Sequence, residues 1–185
     1  MNQSLLGLLL YIFLVAPPVA KFMELNMVIH MHMQMTGLVI AGYLMARFFQ
    51  IRFPGFFEKW NHNGVPGIML FVITALYWML PRSMDEALTV QAVELFKFIS
   101  LPFFAGIGLR DGWKKLAPIV KNSIIIGFAI LFLALGWLYI WSPEQLCNNY
   151  LVIEQIALGW GFLTTAIAMV IYLAYRFFID PSAYE

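Results

Sequence analysis

The sequence predicts an all-α, polytopic membrane protein built as a bundle of about six transmembrane helices. Hydrophobic residues make up 62% of the 185-residue chain and charged residues only 11%, whereas soluble domains carry about 25% charged residues. The apolar residues fall into repeated stretches of roughly 20, which is the length that a helix needs to cross the hydrocarbon core. Since lipid cannot satisfy the polar groups of an open backbone, each stretch is expected to be helical.

Six apolar segments cover most of the chain, which we interpret as one transmembrane domain over residues 1–185. Pro17 and Pro18 interrupt the first segment near its end. Pro66 lies in the first turn of the third segment and Pro81 closes it, as expected of helix boundaries. The predicted spans are approximately residues 4–20, 25–49, 65–80, 87–109, 117–141 and 151–178.

Basic residues are distributed unevenly between the two sides of this six-span topology. One side collects most of them, namely Arg47, Arg52, Lys59, Arg110, Lys114, Lys115, Lys121 and Arg176. Only Lys21 and Arg82 fall on the other side, and Lys97 lies inside the fourth span. The positive-inside rule therefore predicts that both termini are cytoplasmic. The start of the second span then lies at the outer face, which is the periplasmic face of a bacterial inner membrane.

Unusual chemistry is concentrated at the start of the second span. Residues 23–35 contain five methionines and two of the three histidines. Thioethers and imidazoles together favour copper, especially Cu(I). We therefore predict copper as a cofactor, with His30 as the anchor and Met27, Met31 and Met23 as soft ligands. The alternative is that no metal is bound and these side chains only fill the core, since methionine packs well into irregular gaps.

The two histidines of this run cannot both point at one ion from a regular helix. His30 and His32 are two residues apart, which places them about 200° apart around an α-helix. His30 shares its face with Gln34 and with Gly37 and Ala41, a small-residue pair typical of close helix contacts in membranes. We expect His30 to face the bundle, while His32, a further candidate ligand, faces another neighbour or lipid.

Polar residues of the fourth and sixth spans add candidates for a supporting or proton-relay role. Glu94 and Lys97 lie one turn apart and can pair locally. Glu154, followed by Gln155, shares its helix face with small residues, so its carboxylate is expected to look into the bundle. Glu94, Glu154 and Gln34 lie at a predicted depth similar to that of His30. We therefore hypothesise that these residues share a site in the outer third of the membrane.

Two segments resemble the CtaG family of cytochrome oxidase assembly factors, polytopic membrane proteins linked to copper supply. The histidine- and methionine-rich helix of that family looks like residues 28–35 here. Its late helix, which opens with an acid, glutamines, small residues and a tryptophan, is similar to residues 154–160. The resemblance implies a copper-handling inner-membrane protein that assists assembly or metallation of a haem-copper oxidase or a copper membrane monooxygenase.

A second interpretation follows from the spacing of the histidines. The family tends to place two histidines four residues apart, whereas His30 and His32 are two apart and Gln34 stands four residues after His30. A relative that kept the fold without the metal would be a non-catalytic accessory subunit of a larger membrane complex.

The sequence contains no motif of an enzyme. There is no CxxC, HExxH, phosphate-binding loop or hydrolytic triad. The net charge is +1, which gives no indication of a nucleic-acid partner. We therefore predict no catalytic residues. The predicted partners are the lipid bilayer and a larger membrane protein complex.

Overall fold

The computed structural model describes residues 3–178, and this part of the chain is helical and contains no strand. The all-α prediction is therefore confirmed. The α-helices are α1 (Gln3–Val15), α2 (Pro17–Glu24), α3 (Thr36–Arg52), α4 (Pro54–Trp60), α5 (Val65–Trp78), α6 (Pro81–Thr89), α7 (Gln91–Ile99), α8 (Ile107–Trp113), α9 (Pro118–Trp141) and α10 (Val152–Phe178). Two π-helical segments complete them: π1 (Ile29–Met35) leads into α3, and π2 (Ser100–Gly106) joins α7 to α8.

Among the described residues, three helices are by themselves long and apolar enough to cross a membrane. They are Gln91–Trp113, which comprises α7, π2 and α8, together with α9 and α10. Two bent pairs raise the number to five if each pair is one span: α1 with α2, bent by 66°, and α5 with α6, bent by 76°. These apolar helices suggest a membrane-embedded protein, as predicted. The described residues contain three to five candidate spans, and the count of six stays a prediction.

Proline determines several helix boundaries, and the helices differ from three of the predicted spans at their ends. Pro17 and Pro81 each begin a new helix, because proline fits the first helical turn, where its missing N–H is not needed. The predicted segment 4–20 is thus two helices, and α5 ends at Trp78. The fourth segment begins at Gln91 rather than Ala87, since residues 81–89 form their own helix and Val90 is extended.

The contacts divide the chain into two compact units. Within the described residues, the first contains residues 3–116 with residues 147–150, and the second contains residues 117–146 with residues 151–178.

In the first unit, α3 packs between α1 and the helix formed by α7, π2 and α8, and α5 packs against π2 and α8. Glycine allows the closest approach, because a Cβ at Gly42 would overlap the backbone of Pro102. Gly106 lies against the backbone of α3 from the opposite side of the same crossing. Pro102 cannot donate the hydrogen bond that a regular α-helix requires, and the wider π turn accommodates it at this crossing.

The contacts along these helices define two ends of the first unit. Gln50 at the end of α3 donates a hydrogen bond to Asp111 in α8, and His30 in π1 lies against Lys97 in α7. The two helices therefore run parallel, as the second and fourth predicted spans should. The 30–97 end carries α2 and α6, and the 50–111 end carries α4.

The second unit is an antiparallel pair of long helices. Phe132 of α9 stacks on Phe162 of α10, with ring centroids 5.5 Å apart. Gly136 and Gly159 bring the two backbones together farther along, where a Cβ at either position would lie 3.0 Å from the other's carbonyl oxygen. Only 17% of the apolar stretch of α9 and 22% of that of α10 is buried within the protein. Most of this apolar surface is therefore not covered by the described residues.

Candidate functional site

Five polar residues meet inside the 30–97 end of the first unit, and we refer to them as the Lys97 cluster. They are Glu24, the last residue of α2, His30 and Gln34 of π1, Lys97 of α7, and Tyr150. His30, Gln34 and Lys97 have no solvent-exposed surface. Buried charges and polar groups are stable only when they are paired, so the partners of each group determine what the cluster can do.

Lys97 lies at the centre of the cluster and has three acceptors. Its Nζ is 2.5 Å from Glu24 Oε1, 3.2 Å from His30 Nε2 and 3.5 Å from Gln34 Oε1. An ammonium group has three N–H donors and no acceptor. The three neighbours therefore match the full donor capacity of a charged lysine, and the Glu24 carboxylate balances its charge.

The hydrogen bonds also assign the tautomer of His30. The hydroxyl of Tyr150 donates to the main-chain carbonyl of Glu24 at 2.9 Å, so its oxygen is left to accept. His30 Nδ1 lies 2.8 Å from that hydroxyl and must therefore carry the proton. His30 Nε2 is then unprotonated and accepts the N–H of Lys97. The imidazole is neutral, and both of its nitrogens are used.

Local sequence accounts for the position of the π1 side chains. The side-chain oxygen of Asn26 accepts hydrogen bonds from the backbone N–H groups of Val28 and Ile29, which caps the start of the helix. His30 and Gln34 are four residues apart and both are buried against α7. A π-helical turn is uncommon and frequently marks a functional site.

Tyr150 reaches the cluster from the short segment that follows α9. Asp85 of α6 holds this segment by accepting hydrogen bonds from the backbone N–H of Asn148 and from the side chain of Asn149. The thiol of Cys147, which is buried, points to the carbonyl of Pro81. Residues 147–150 are thereby part of the first unit, and the Tyr150 hydroxyl has a defined position.

The predicted soft ligands lie in the protein interior. Met27 is fully buried, and Met23 and Met31 are nearly so. His30 is fully buried, whereas His32 is only partly buried. This difference agrees with the expectation that the two histidines have different surroundings.

The arrangement of His30 does not fit copper binding. A metal needs an imidazole nitrogen with a free lone pair, but Nε2 accepts from Lys97 and Nδ1 carries the proton donated to Tyr150. The Lys97 ammonium would also repel a cation at this position. Within the described residues, no group of three or more His, Cys, Asp or Glu side chains is arranged to hold a metal ion. Copper binding therefore stays a prediction that this geometry does not favour.

The predicted supporting residues separate into different places. Gln34 belongs to the Lys97 cluster. The spacing on one helix predicted that Lys97 pairs with Glu94, but Lys97 forms its ion pair with Glu24. Glu94 is partly buried one turn before Lys97, and its charge acts on that lysine from a longer distance. The direct ion-pair partner of Lys97 is therefore Glu24 on α2 rather than Glu94 on the same helix.

The other two candidates have structural roles in the second unit. Glu154 accepts a hydrogen bond from the backbone N–H of Leu151 at the start of α10. Gln155 is buried; it accepts from the backbone N–H of Leu146 and donates to the carbonyls of Tyr139 and Glu144. Its side chain thus ties the loop between the helices to both of them.

A second polar cluster, which the sequence did not indicate, lies at the opposite end of the first unit. Asp111 accepts hydrogen bonds from Gln50 at 2.7 Å, Asn61 at 2.5 Å and Lys115 at 2.8 Å. Asn61 also accepts from the backbone N–H of Gly67. This cluster connects α3, α8 and the turn before α5, so its evident role is structural.

Comparison of the chain with protein-family models, with curated proteins and with solved structures finds no match.

Three residues of the Lys97 cluster were not among the predicted site residues: Glu24, Lys97 and Tyr150. Lys97 carried the clearest signal, because it is a basic residue near the middle of a predicted span, and a charge within a membrane span indicates a functional or structural partner. Nothing in the sequence could assign that partner, since Glu24 is 73 residues away along the chain.

Proposed function

We propose that the protein is a non-catalytic membrane subunit that acts by binding another membrane protein, as an accessory component of a copper-dependent membrane enzyme complex. The supporting observation is the pairing of Lys97 and His30 inside the Lys97 cluster. The hydrogen bonds of Lys97, His30 and Tyr150 are made within the chain, so these groups are occupied in holding α2, π1 and α7 together. The polar groups near the predicted metal site thus have a structural use that requires no metal.

The proposal includes a six-span topology in a bacterial inner membrane. Five spans correspond to the candidate spans described above, and the sixth is residues 29–52, where π1 continues into α3. A helix of this length extends about 36 Å. The terminal residues lie outside the described part of the chain, and their cytoplasmic location follows from the six-span count and the positive-inside rule. The 30–97 end would then be periplasmic.

The partner surface is proposed to lie on the second unit. Trp137 and Trp141 of α9 stack on each other with ring centroids 4.1 Å apart. Both are largely exposed, at 63% and 53%. Tryptophan is enriched at the energetically important centres of protein interfaces, and it also anchors helices at the membrane surface. The experiment must separate these two roles.

Purification of the chain from its native membrane in a mild detergent tests the proposal. We expect a stoichiometric membrane partner that is lost in Trp137→Ala/Trp141→Ala. The matched control is Phe56→Ala/Trp60→Ala, which removes two similarly exposed aromatic residues from α4 and should retain the partner. Isolation of the wild type without any partner, or equal retention of the partner by both double variants, would contradict the proposal.

Copper handling is a second candidate function. It is favoured by the burial of Met23, Met27 and Met31, which keeps three thioethers out of water close in sequence to His30. Metal analysis of the purified wild type, His30→Ala and His32→Ala tests it. Near-stoichiometric copper that is lost only in His30→Ala would support this function, whereas no copper in any of the three proteins would contradict it.

A further inference from the structure

The Lys97 cluster has the donor atoms and the supporting hydrogen bond of a metal site, with an ammonium group at its centre. We propose that Glu24, His30 and Gln34 form a cation site that the side chain of Lys97 keeps filled. Removal of the ammonium group would convert the cluster into a site for a divalent transition-metal ion such as Zn²⁺. This inference concerns the chemistry of the cluster and does not depend on the proposed function.

The first argument is the donor set. A carboxylate oxygen, an imidazole nitrogen and an amide oxygen converge on Nζ at 2.5, 3.2 and 3.5 Å. Zinc binds nitrogen and oxygen at about 2.0–2.2 Å, so each of the three donor atoms would have to lie closer to a zinc ion than it lies to Nζ. A water molecule would be the fourth ligand.

The second argument is the orientation of His30. Histidines that bind metals usually donate their other ring N–H to a neighbouring group, which sets the tautomer and directs the ligating nitrogen. The Tyr150 hydroxyl takes this role, because it accepts from Nδ1 and leaves Nε2 with its lone pair directed at Lys97 Nζ. The imidazole is therefore already in the form that a metal requires.

The third argument concerns charge and competition. The Lys97 ammonium neutralises the Glu24 carboxylate, so the filled site carries no net charge. A divalent ion beside the ammonium would meet strong repulsion at short range in a buried environment. The ammonium is also covalently attached, so it has none of the entropy cost of association that a free ion has. The native site is thus expected to exclude metal ions.

The test uses the full chain in detergent and compares zinc binding by equilibrium dialysis with metal analysis. The variants are Lys97→Met, which removes the charge while keeping the length, Lys97→Arg, which keeps the charge, and Lys97→Met/His30→Ala. We expect little zinc on the wild type and on Lys97→Arg, and about one equivalent on Lys97→Met. The double variant should lose it, and zinc should raise the melting temperature of Lys97→Met alone.

Two results would overturn the inference. One is the absence of zinc from folded Lys97→Met. The other is zinc or copper on the wild type that is lost in His30→Ala, because Lys97 would then not fill the site. Recovery of folded Lys97→Met only when zinc is present would support the inference, since the metal would replace the missing cation. If Lys97→Met does not fold under either condition, Lys97→Gln provides the same comparison, and its failure to bind zinc would overturn the inference.

Discussion

At the scale of single residues, Lys97 is a charged side chain that is fully buried. Its side chain has no exposed surface, and the carboxylate that balances its charge is 13% exposed. Taking two charges out of water is costly, and their attraction compensates only when the geometry is good and the remaining donors are satisfied. The three acceptors around Nζ meet this condition, which explains how a lysine is tolerated inside a candidate membrane span.

Removing one member of this ion pair is expected to destabilise the protein strongly. Glu24→Gln leaves the buried ammonium without its counter-charge and should lower the free energy of unfolding by about 3–5 kcal/mol. Lys97→Met should also destabilise, and the double variant should cost less than the sum of the two single changes. Unfolding in detergent micelles measures all three. The control is Arg82→Ala, which breaks the exposed Arg82–Glu86 pair and should cause no measurable loss; additive effects of the two buried changes would contradict a direct pair.

The Tyr150 hydroxyl is expected to contribute through the groups that it satisfies. Tyr150→Phe leaves the Nδ1–H of His30 and the carbonyl of Glu24 without this partner, so it should cost about 1–3 kcal/mol. Thermal unfolding measures the effect, and Tyr175→Phe is the control because Tyr175 is 59% exposed. An equal effect of the two substitutions would show that Tyr150 does not order the cluster.

At the scale of helices, close backbone contact determines how the first unit packs. Side chains would normally keep two helices about 8–10 Å apart. Gly42 and Gly106 have no side chains, so the backbones of α3 and of the helix containing π2 approach more closely where they cross. The π turn at Ser100–Gly106 lies at the same crossing, so an irregular helix and two glycines together allow Lys97, earlier on the same helix, to reach π1.

A methyl group at the crossing is expected to separate these helices. In Gly42→Ala the new Cβ meets the backbone of Pro102, which cannot rotate away as a side chain can. We expect a loss of about 2–3 kcal/mol or more in the free energy of unfolding. Gly127→Ala is the matched control, because a Cβ there has open space around it and alanine favours a helix. Similar melting temperatures for the two variants would contradict the close crossing.

At the scale of the molecule, the two ends of the first unit differ in charge. The 50–111 end is near the basic residues Arg47, Arg52, Lys59, Arg110, Lys114 and Lys115. The 30–97 end holds the Lys97 cluster and Asp85 with its two asparagine partners. Positive charge on one side of a membrane protein favours the cytoplasm, so the proposed topology predicts that the Lys97 cluster lies near the periplasmic face.

Cysteine labelling in intact cells tests this orientation. Cys147, the single cysteine, is 1% exposed and is first replaced by alanine. Arg82→Cys, at a side chain that is 88% exposed, should react with a membrane-impermeant maleimide from outside. His62→Cys, in an exposed turn at the opposite end, should react only after the membrane is permeabilised. The reverse pattern would show that the Lys97 cluster faces the cytoplasm.

The sequence predicted the part of the site that depends on one helix, and it did not predict the pairing between distant segments. The inward direction of His30 and Gln34 followed from small residues on the same helix face, and both are buried as expected. The partner of Lys97 could not be predicted from the sequence. Glu94 lies at the spacing that allows an ion pair on one helix, whereas the observed partner, Glu24, lies far away along the chain. Local rules cannot rank a partner that only chain folding brings near.

The sequence alone determined the class of protein: its apolar stretches, low charge and uneven basic residues predict helices and a membrane, because hydrophobic length and charge bias act locally along the chain. Tertiary structure alone decided the chemistry of the cluster. The hydrogen bond to Tyr150 sets the tautomer of His30, and the lone pair of Nε2 accepts a hydrogen bond from Lys97. Both partners come from distant parts of the chain. The availability of a ligand atom depends on the atoms within about 3 Å of it, and those neighbours are set by packing.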